Sequence, residues 1–156
     1  MGLSEQISEQ ELLKTIHELN NDAGVDGILV QSPLPVHIDA QKIFNAIHPD
    51  KDVDGFSATN IAKLYSGDES GLIPGTPKGI IEIIKKHRTL ERKNVVVIGK
   101  STIVGKPLAM LLLHAGATVT ICHSRTKELS VHTKNADIVI SAVGKKHLIT
   151  ADMIAP

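Results

Sequence analysis

The chain has 156 residues, with lysine plus arginine and aspartate plus glutamate each totalling 17, so no basic face argues for nucleic acid. No apolar run approaches the roughly 20 residues of a membrane span, and the polar, acidic start "MGLSEQISEQE" is wrong for a secretion signal or an arginine-rich transit peptide. A single cysteine, Cys122, excludes an internal disulfide and suggests a reducing compartment, while 2% aromatic residues leave little for a base-stacking surface.

Along the chain, Ser8 and Glu11 have capping-box spacing, and Leu12, Leu13, Ile16 and Leu19 line one face of the helix they predict. Asn21 to Gly24 ends it. "GILVQ" (27 to 31) reads as a short buried strand, which the prolines of "SPLP" cannot continue. Asp39 caps a helix carrying Ile43, Phe44 and Ile47, stopped by Pro49. "DKDVDGFS" is a polar loop around one glycine, and a short helix through Ile61, Leu64 and Tyr65 ends at Gly67. "GDESGLIPGTP" collects glycine, proline and acids and is the linker candidate. Thr76 is expected to cap the next helix, with Pro77 at its first position and Lys85 to Arg88 at its far end.

From there strands and helices alternate. "NVVVIG", "ATVTIC" and "DIVISAVG" are strands beginning near 94, 117 and 137, separated by helical segments at 104 to 115 and 127 to 135, and Thr150 opens a further helical stretch. This spacing predicts βαβ units in a parallel sheet, an α/β fold. In a doubly wound order the 94–98 strand is central, and with the fourth strand missing it is expected to keep one bare edge.

"GKSTIVGKP" follows the first of these strands. A turn between a strand and a helix's amino end favours an anion, through free backbone amides and the helix dipole. Gly99 lets the chain turn off the strand, and Gly105 allows close packing of helix on strand or an approaching ligand. Such glycines also occur as plain turn residues, so the second strand has to discriminate. In dinucleotide folds an acid near its end bonds the ribose hydroxyls and selects NAD. Here that strand runs into "CHSRT" with no acid, while Ser124, Arg125 and Lys100 offer a hydroxyl and two cations. That chemistry suits a 2′-phosphate, hence NADP; the alternative is that both cations are only solvated surface charges. Cys122 reads as inert packing, and the histidines form no metal-ligand spacing, so no metal is expected.

Four motifs stand in order: "VDGILVQSPLP" (25 to 35), "HPDKDVDGF" (48 to 56), "PGTPKG" (74 to 79) and "VVVIGKSTIVGKPLAMLL" (95 to 112). With them the chain resembles the bifunctional methylenetetrahydrofolate dehydrogenase/cyclohydrolase family over its whole length. The resemblance implies part of a folate-binding, catalytic lobe over 1–73, followed by the first half of a Rossmann-type NADP-binding lobe over 74–156. It implies oxidation of methylenetetrahydrofolate with NADP and hydrolysis of the resulting methenyltetrahydrofolate to formyltetrahydrofolate. It also implies a cytoplasmic setting and a homodimer for the full-length form, with no nucleic acid and no membrane.

Residue by residue, Asp54 resembles the family's pterin-binding carboxylate, whose two oxygens accept from paired ring donors. Gln31 resembles the glutamine that bonds the family's catalytic lysine, and Val30 and Ser32 beside it contact substrate through backbone. Gln31 and Asp54 are thus the catalytic candidates. Gly99, Lys100, Ser101 and Ser124 match cofactor positions, and Ala142, Val143 and Gly144 are placed on the nicotinamide side. Two departures stand out: Gly75 where the family commonly has cysteine, and Lys100 for a frequent arginine, which keeps the charge but loses the planar fork. The family's lysine belongs to a Tyr-x-x-x-Lys motif, but the only tyrosine here, Tyr65, is followed four residues later by Glu69. Lys51 and Lys63 read as solvent-facing. The chain is therefore expected to be an internal piece of a longer enzyme, or a truncated product inactive by itself. The rival readings are a non-catalytic binding or structural fragment and, more distantly, a shikimate-dehydrogenase-type enzyme.

Overall fold

The computed structural model describes residues 1–155 and divides into two compact units, Met1–Pro74 and Gly75–Pro156. No helix among the described residues is long and apolar enough to cross a membrane.

The first unit is built from α1 (Glu9–Asn21), α2 (Ala40–Ala46) and α3 (Ala58–Ser66). Each begins where a short polar side chain takes up the free amides of the first turn. Ser8 and Glu11 close the expected capping box on α1, Asp39 accepts from the amides of Gln41 and Lys42 on α2, and Ser57 accepts from that of Asn60 on α3. Gly67, in the left-handed conformation, ends α3 as expected. The apolar faces of α1 and α2 meet around Leu12, Ile16, Ile43 and Ile47, with Ile28 and Ile38 from the intervening chain.

Residues 27–31 are not a strand. Ile28 makes one isolated parallel bridge to Asp52, and its amide donates to the Lys51 carbonyl at 2.7 Å. An apolar run becomes a strand only where a neighbour runs alongside it. The partner here runs alongside for one residue only, Asp52, between a 3₁₀ turn at Pro49–Lys51 and the loop that follows.

The second unit is α/β. Its order is α4 (Gly75–Lys85), β1 (Asn94–Ile98), α5 (Gly105–His114), β2 (Thr118–Cys122), α6 (Leu129–Lys134) and β3 (Ile138–Ser141), then a 3₁₀ turn at Ala151–Met153. α4 starts at Gly75, so Thr76 lies inside the helix rather than capping it, and Pro77 is its third residue. That position still belongs to the first turn, where a missing N–H costs no helix bond.

The sheet is wholly parallel in the order β2-β1-β3. β1 pairs with β2 from Asn94 to Ile98, and on its other side with β3 from Val95 to Ile98. The expected bare edge on β1 therefore does not exist, because the chain leaving α6 crosses back over β1 and fills it. Both faces of β1 are covered, which explains its unbroken apolar sequence. Val95 and Val97 pack with Ile81, Leu90, Leu108 and Leu112, while Val96 and Ile98 cluster with Cys122, and Leu129 and Val139 pack against them.

Candidate functional site

The first half-site lies on two segments of the first unit tied at Ile28 and Asp52. The bridge is parallel, so both chains leave it in the same direction, one reaching Gln31 and the other Asp54. Gln31 is exposed and its side-chain amide donates to the Ser32 carbonyl at 2.9 Å. Val30 and Ser32 are half-buried. A cleft of about 640 Å³ beside this segment is lined by Val30 and Gln31 together with apolar residues including Leu12, Ile16 and Leu19; Asp54 is not part of its wall.

Asp54 is half-buried at the tip of the 52–57 turn. Desolvation, and secondarily the negative charge of Asp52, hold its carboxyl above the usual aspartate value. Nothing in the capping and turn signals distinguishes Asp52 from its neighbours, yet it is the buried one, at 1% exposure. Its carboxylate accepts from the amides of Phe56 (3.2 Å) and Ser57 (2.8 Å) and from Asn60 Nδ2 (3.0 Å). Asn60 Nδ2 also donates to the Pro49 carbonyl at 3.0 Å, and its Oδ1 accepts from the Leu72 amide at 3.1 Å. Phe56 packs edge-on against Phe44 of α2, with ring centroids 5.2 Å apart. Lys51 is not solvent-facing as expected: its ammonium donates to the carbonyls of Leu19, Asn20 and Asp22, at 3.0, 2.9 and 2.7 Å. Those carbonyls lie at the end of α1, where the ladder gives out and the backbone offers only the longer bonds from the Asp22 amide to Leu19 (3.4 Å) and from the Val25 amide to Asp22 (3.2 Å).

The second half-site gathers at the carboxyl ends of the three parallel strands. Gly99, Lys100 and Ser101 follow β1, Ser124 follows β2, and Ala142, Val143 and Gly144 follow β3. The Gly99 amide donates to the Cys122 carbonyl and the Ala142 amide to the Ile98 carbonyl, both at 2.8 Å, so the three loops start from fixed points. Gly99 has φ +127°, as the turn off the strand demands. Ser101 Oγ accepts from the amides of Val104 and Gly105, each at 3.2 Å, which ties the loop to the start of α5. Ser124 stands exposed in a turn closed by the Thr126 amide on the His123 carbonyl. Lys100 and Arg125 are exposed, and neither enters an ion pair among the described residues. Cys122 is fully buried, and burial raises its thiol pKa, which suits packing rather than nucleophilic work. Because β2 and β3 flank β1 on opposite sides, the loop after β1 sits where neighbouring connections diverge, the position at which open parallel sheets take ligands.

Comparison with known proteins decides the family. The model of the tetrahydrofolate dehydrogenase/cyclohydrolase NAD(P)-binding domain matches residues 74–156, and that of the catalytic domain matches residues 1–54. The chain belongs to the tetrahydrofolate dehydrogenase/cyclohydrolase family. The bifunctional protein FolD of Burkholderia orbicola is 54% identical over 151 residues, covering 96% of this chain and 52% of that protein. The bifunctional FolD of Campylobacter jejuni superimposes with a TM-score of 0.94 at 48% identity, over 97% of this chain and 54% of that one. The Trypanosoma brucei enzyme, solved with NADP cofactor and an inhibitor, gives 0.92 at 31% identity, over 98% and 53%. The chain spans about half the length of the relatives it matches.

Proposed function

We propose that this chain serves the NADP-dependent oxidation of methylenetetrahydrofolate to methenyltetrahydrofolate and the hydrolysis of that product to formyltetrahydrofolate. The observation that carries the reading is the tight loop between β1 and α5. It lies at the divergence point of a parallel sheet, with exposed Lys100, Ser124 and Arg125 around it and no acid after β2. The residues fit a dinucleotide phosphate. Backbone amides and the amino end of α5 suit the diphosphate, and Lys100, Ser124 and Arg125 suit a 2′-phosphate, with Ala142 to Gly144 on the adjoining strand end. When bound, the nicotinamide supplies the hydride acceptor.

The chain's own residues bind and orient. Asp54 accepts from the pterin ring's paired donors through its two oxygens. Gln31, exposed beside an apolar cleft, orients a proton-transferring group next to the reacting carbon. Within these 156 residues Tyr65 is followed four positions later by Glu69, so the lysine of the family motif is not among them. The division of labour assigned here is folate binding over 1–73 and dinucleotide binding over 74–156, in a cytoplasmic, homodimeric full-length form.

Calorimetric titration of the chain with NADP, NAD and tetrahydrofolate tests the reading. Tighter binding of NADP than of NAD, together with tetrahydrofolate binding lost in Asp54→Ala, supports it. Equal affinity for the two dinucleotides, or tetrahydrofolate binding indifferent to Asp54, overturns it.

A further inference from the structure

Asp52 is buried at 1% exposure in the middle of the first unit, and every side-chain partner it has is a donor. Burying a carboxylate is costly unless its oxygens are fully engaged, so a residue kept here has to return something that an apolar side chain would not. Its placement shows what it returns. Its oxygens reach forward over Val53, Asp54 and Gly55 to the amides of Phe56 and Ser57, and its carbonyl accepts from the Gly55 amide at 3.0 Å. The three residues it spans therefore form a turn held to one residue, with Val53 exposed, Asp54 half-buried and Gly55 buried against the Leu72 carbonyl. Backward, the same residue makes the bridge to Ile28, three positions before Gln31. Through Asn60 it is joined to Pro49 and Leu72, which fixes the turn to the chain on either side.

We propose that Asp52 is the positioning residue of the candidate folate half-site, setting the shape of the turn that presents Asp54 and its register against the Gln31 segment. This rests on the folate reading above for its purpose, though not for its geometry. Asp52 also acts on Asp54 at a distance, as a fixed negative charge that helps keep the Asp54 proton bound. A purely structural buried group would hold the turn without moving Asp54's titration.

The experiment uses the whole chain, with Asp52→Asn and Asn60→Ala as variants, followed by NMR. Asp52→Asn turns an amide NH₂ toward one of three donors. It is expected to speed hydrogen exchange at Phe56 and Ser57 by roughly tenfold, while the central turns of α1 stay protected, and to lower the Asp54 carboxyl titration midpoint. Asn60→Ala removes one of the three bonds to Asp52, along with those to Pro49 and Leu72, but leaves the charge and the Phe56 and Ser57 amides, so it is expected to loosen Leu72 while Asp54 titrates as before. If Asp52→Asn does not fold, an Asp54 midpoint that falls in Asn60→Ala overturns the charge role, and unaltered exchange at Leu72 overturns the network. Wild-type exchange at Phe56 and Ser57 together with an unmoved Asp54 midpoint in a folded Asp52→Asn overturns the proposal outright. Tetrahydrofolate titration of the same proteins separates the two readings. Failure of the wild-type chain to bind counts against the folate assignment alone, whereas binding equal in wild type and folded Asp52→Asn counts against positioning.

Discussion

Gly105, the first residue of α5, sits so close to the carbonyl of Gly99 that a Cβ on it would penetrate that oxygen and lie 2.6 Å from the carbonyl carbon and 3.0 Å from the Lys100 amide nitrogen. The obstacle is backbone on both sides, which cannot rotate away. Gly105→Ala is therefore expected to destabilise the second unit by about 3 kcal/mol, some 15 °C in melting temperature for a unit of this size, and to abolish dinucleotide binding. Thermal melts followed by circular dichroism check this, and a melt within 3 °C or so of wild type would mean the loop opens more easily than its geometry indicates.

Lys100 tests the choice of cofactor. As an exposed cation in the loop after β1, it is expected to favour the dinucleotide carrying the extra phosphate. Lys100→Ala should weaken NADP about fivefold, on the order of 1 kcal/mol, and leave NAD nearly unchanged. Lys100→Arg should hold or improve NADP affinity, since the planar fork grips phosphate at two points. Equal losses for both cofactors in a calorimetric titration would remove the 2′-phosphate assignment.

Asp54 gives a pH signature. Its folded value is raised, chiefly by desolvation and then by Asp52. The stability it contributes is thus fully present below the ordinary aspartate value of 3.8 and is lost as pH rises through the raised folded value. At neutral pH its ionisation works against the fold. Asp54→Asn is expected to raise the melting temperature at pH 7 by no more than about 2 °C, because solvent reaches the group. The gain should vanish below pH 3.8 or so, while tetrahydrofolate affinity falls at neutral pH. A stability gain that is the same at both pH values would show that the effect is not ionisation.

Lys51 carries a stability prediction. Its ammonium serves three carbonyls at the end of α1, two of which otherwise have only the longer bonds from the Asp22 and Val25 amides. Lys51→Ala should cost about 1–3 kcal/mol, read from denaturant midpoints, and should accelerate hydrogen exchange in the last turn of α1 before it does so in α3. Uniform exchange changes across the first unit would argue for a global effect instead of a lost cap.

Local chemistry was mostly legible where a residue acts on its neighbours in the chain, the Thr76 cap being the exception. The caps of Ser8 and Asp39, the left-handed stop at Gly67 and the three strands of the second unit each depend on side chains within a few positions. The motif order was enough to point to the family, because it records which residue types stand at which separations. Legibility failed where a partner is distant. "GILVQ" has the composition of a strand, but pairing needs a neighbour that runs alongside, and Asp52 provides one bridge. In "DKDVDG" the three acids and the lysine look equally polar. Only the fold buries Asp52 under Asn60 and the 56–57 amides, leaves Asp54 at the tip, and turns Lys51 onto the end of a helix some thirty residues away in sequence.

By itself the sequence determined the alternation of strand and helix, the glycines of the β1–α5 turn and the absence of an acid after "ATVTIC". The tertiary structure decided that β3 crosses back to the far side of β1, which sets the divergence of the connections at Gly99, and that Asp52 holds the turn on which Asp54 stands. The reason is physical: periodicity and capping are set by contacts within a turn or two of the chain, whereas strand order and the burial of a charge are settled only when distant segments compete for the same neighbour.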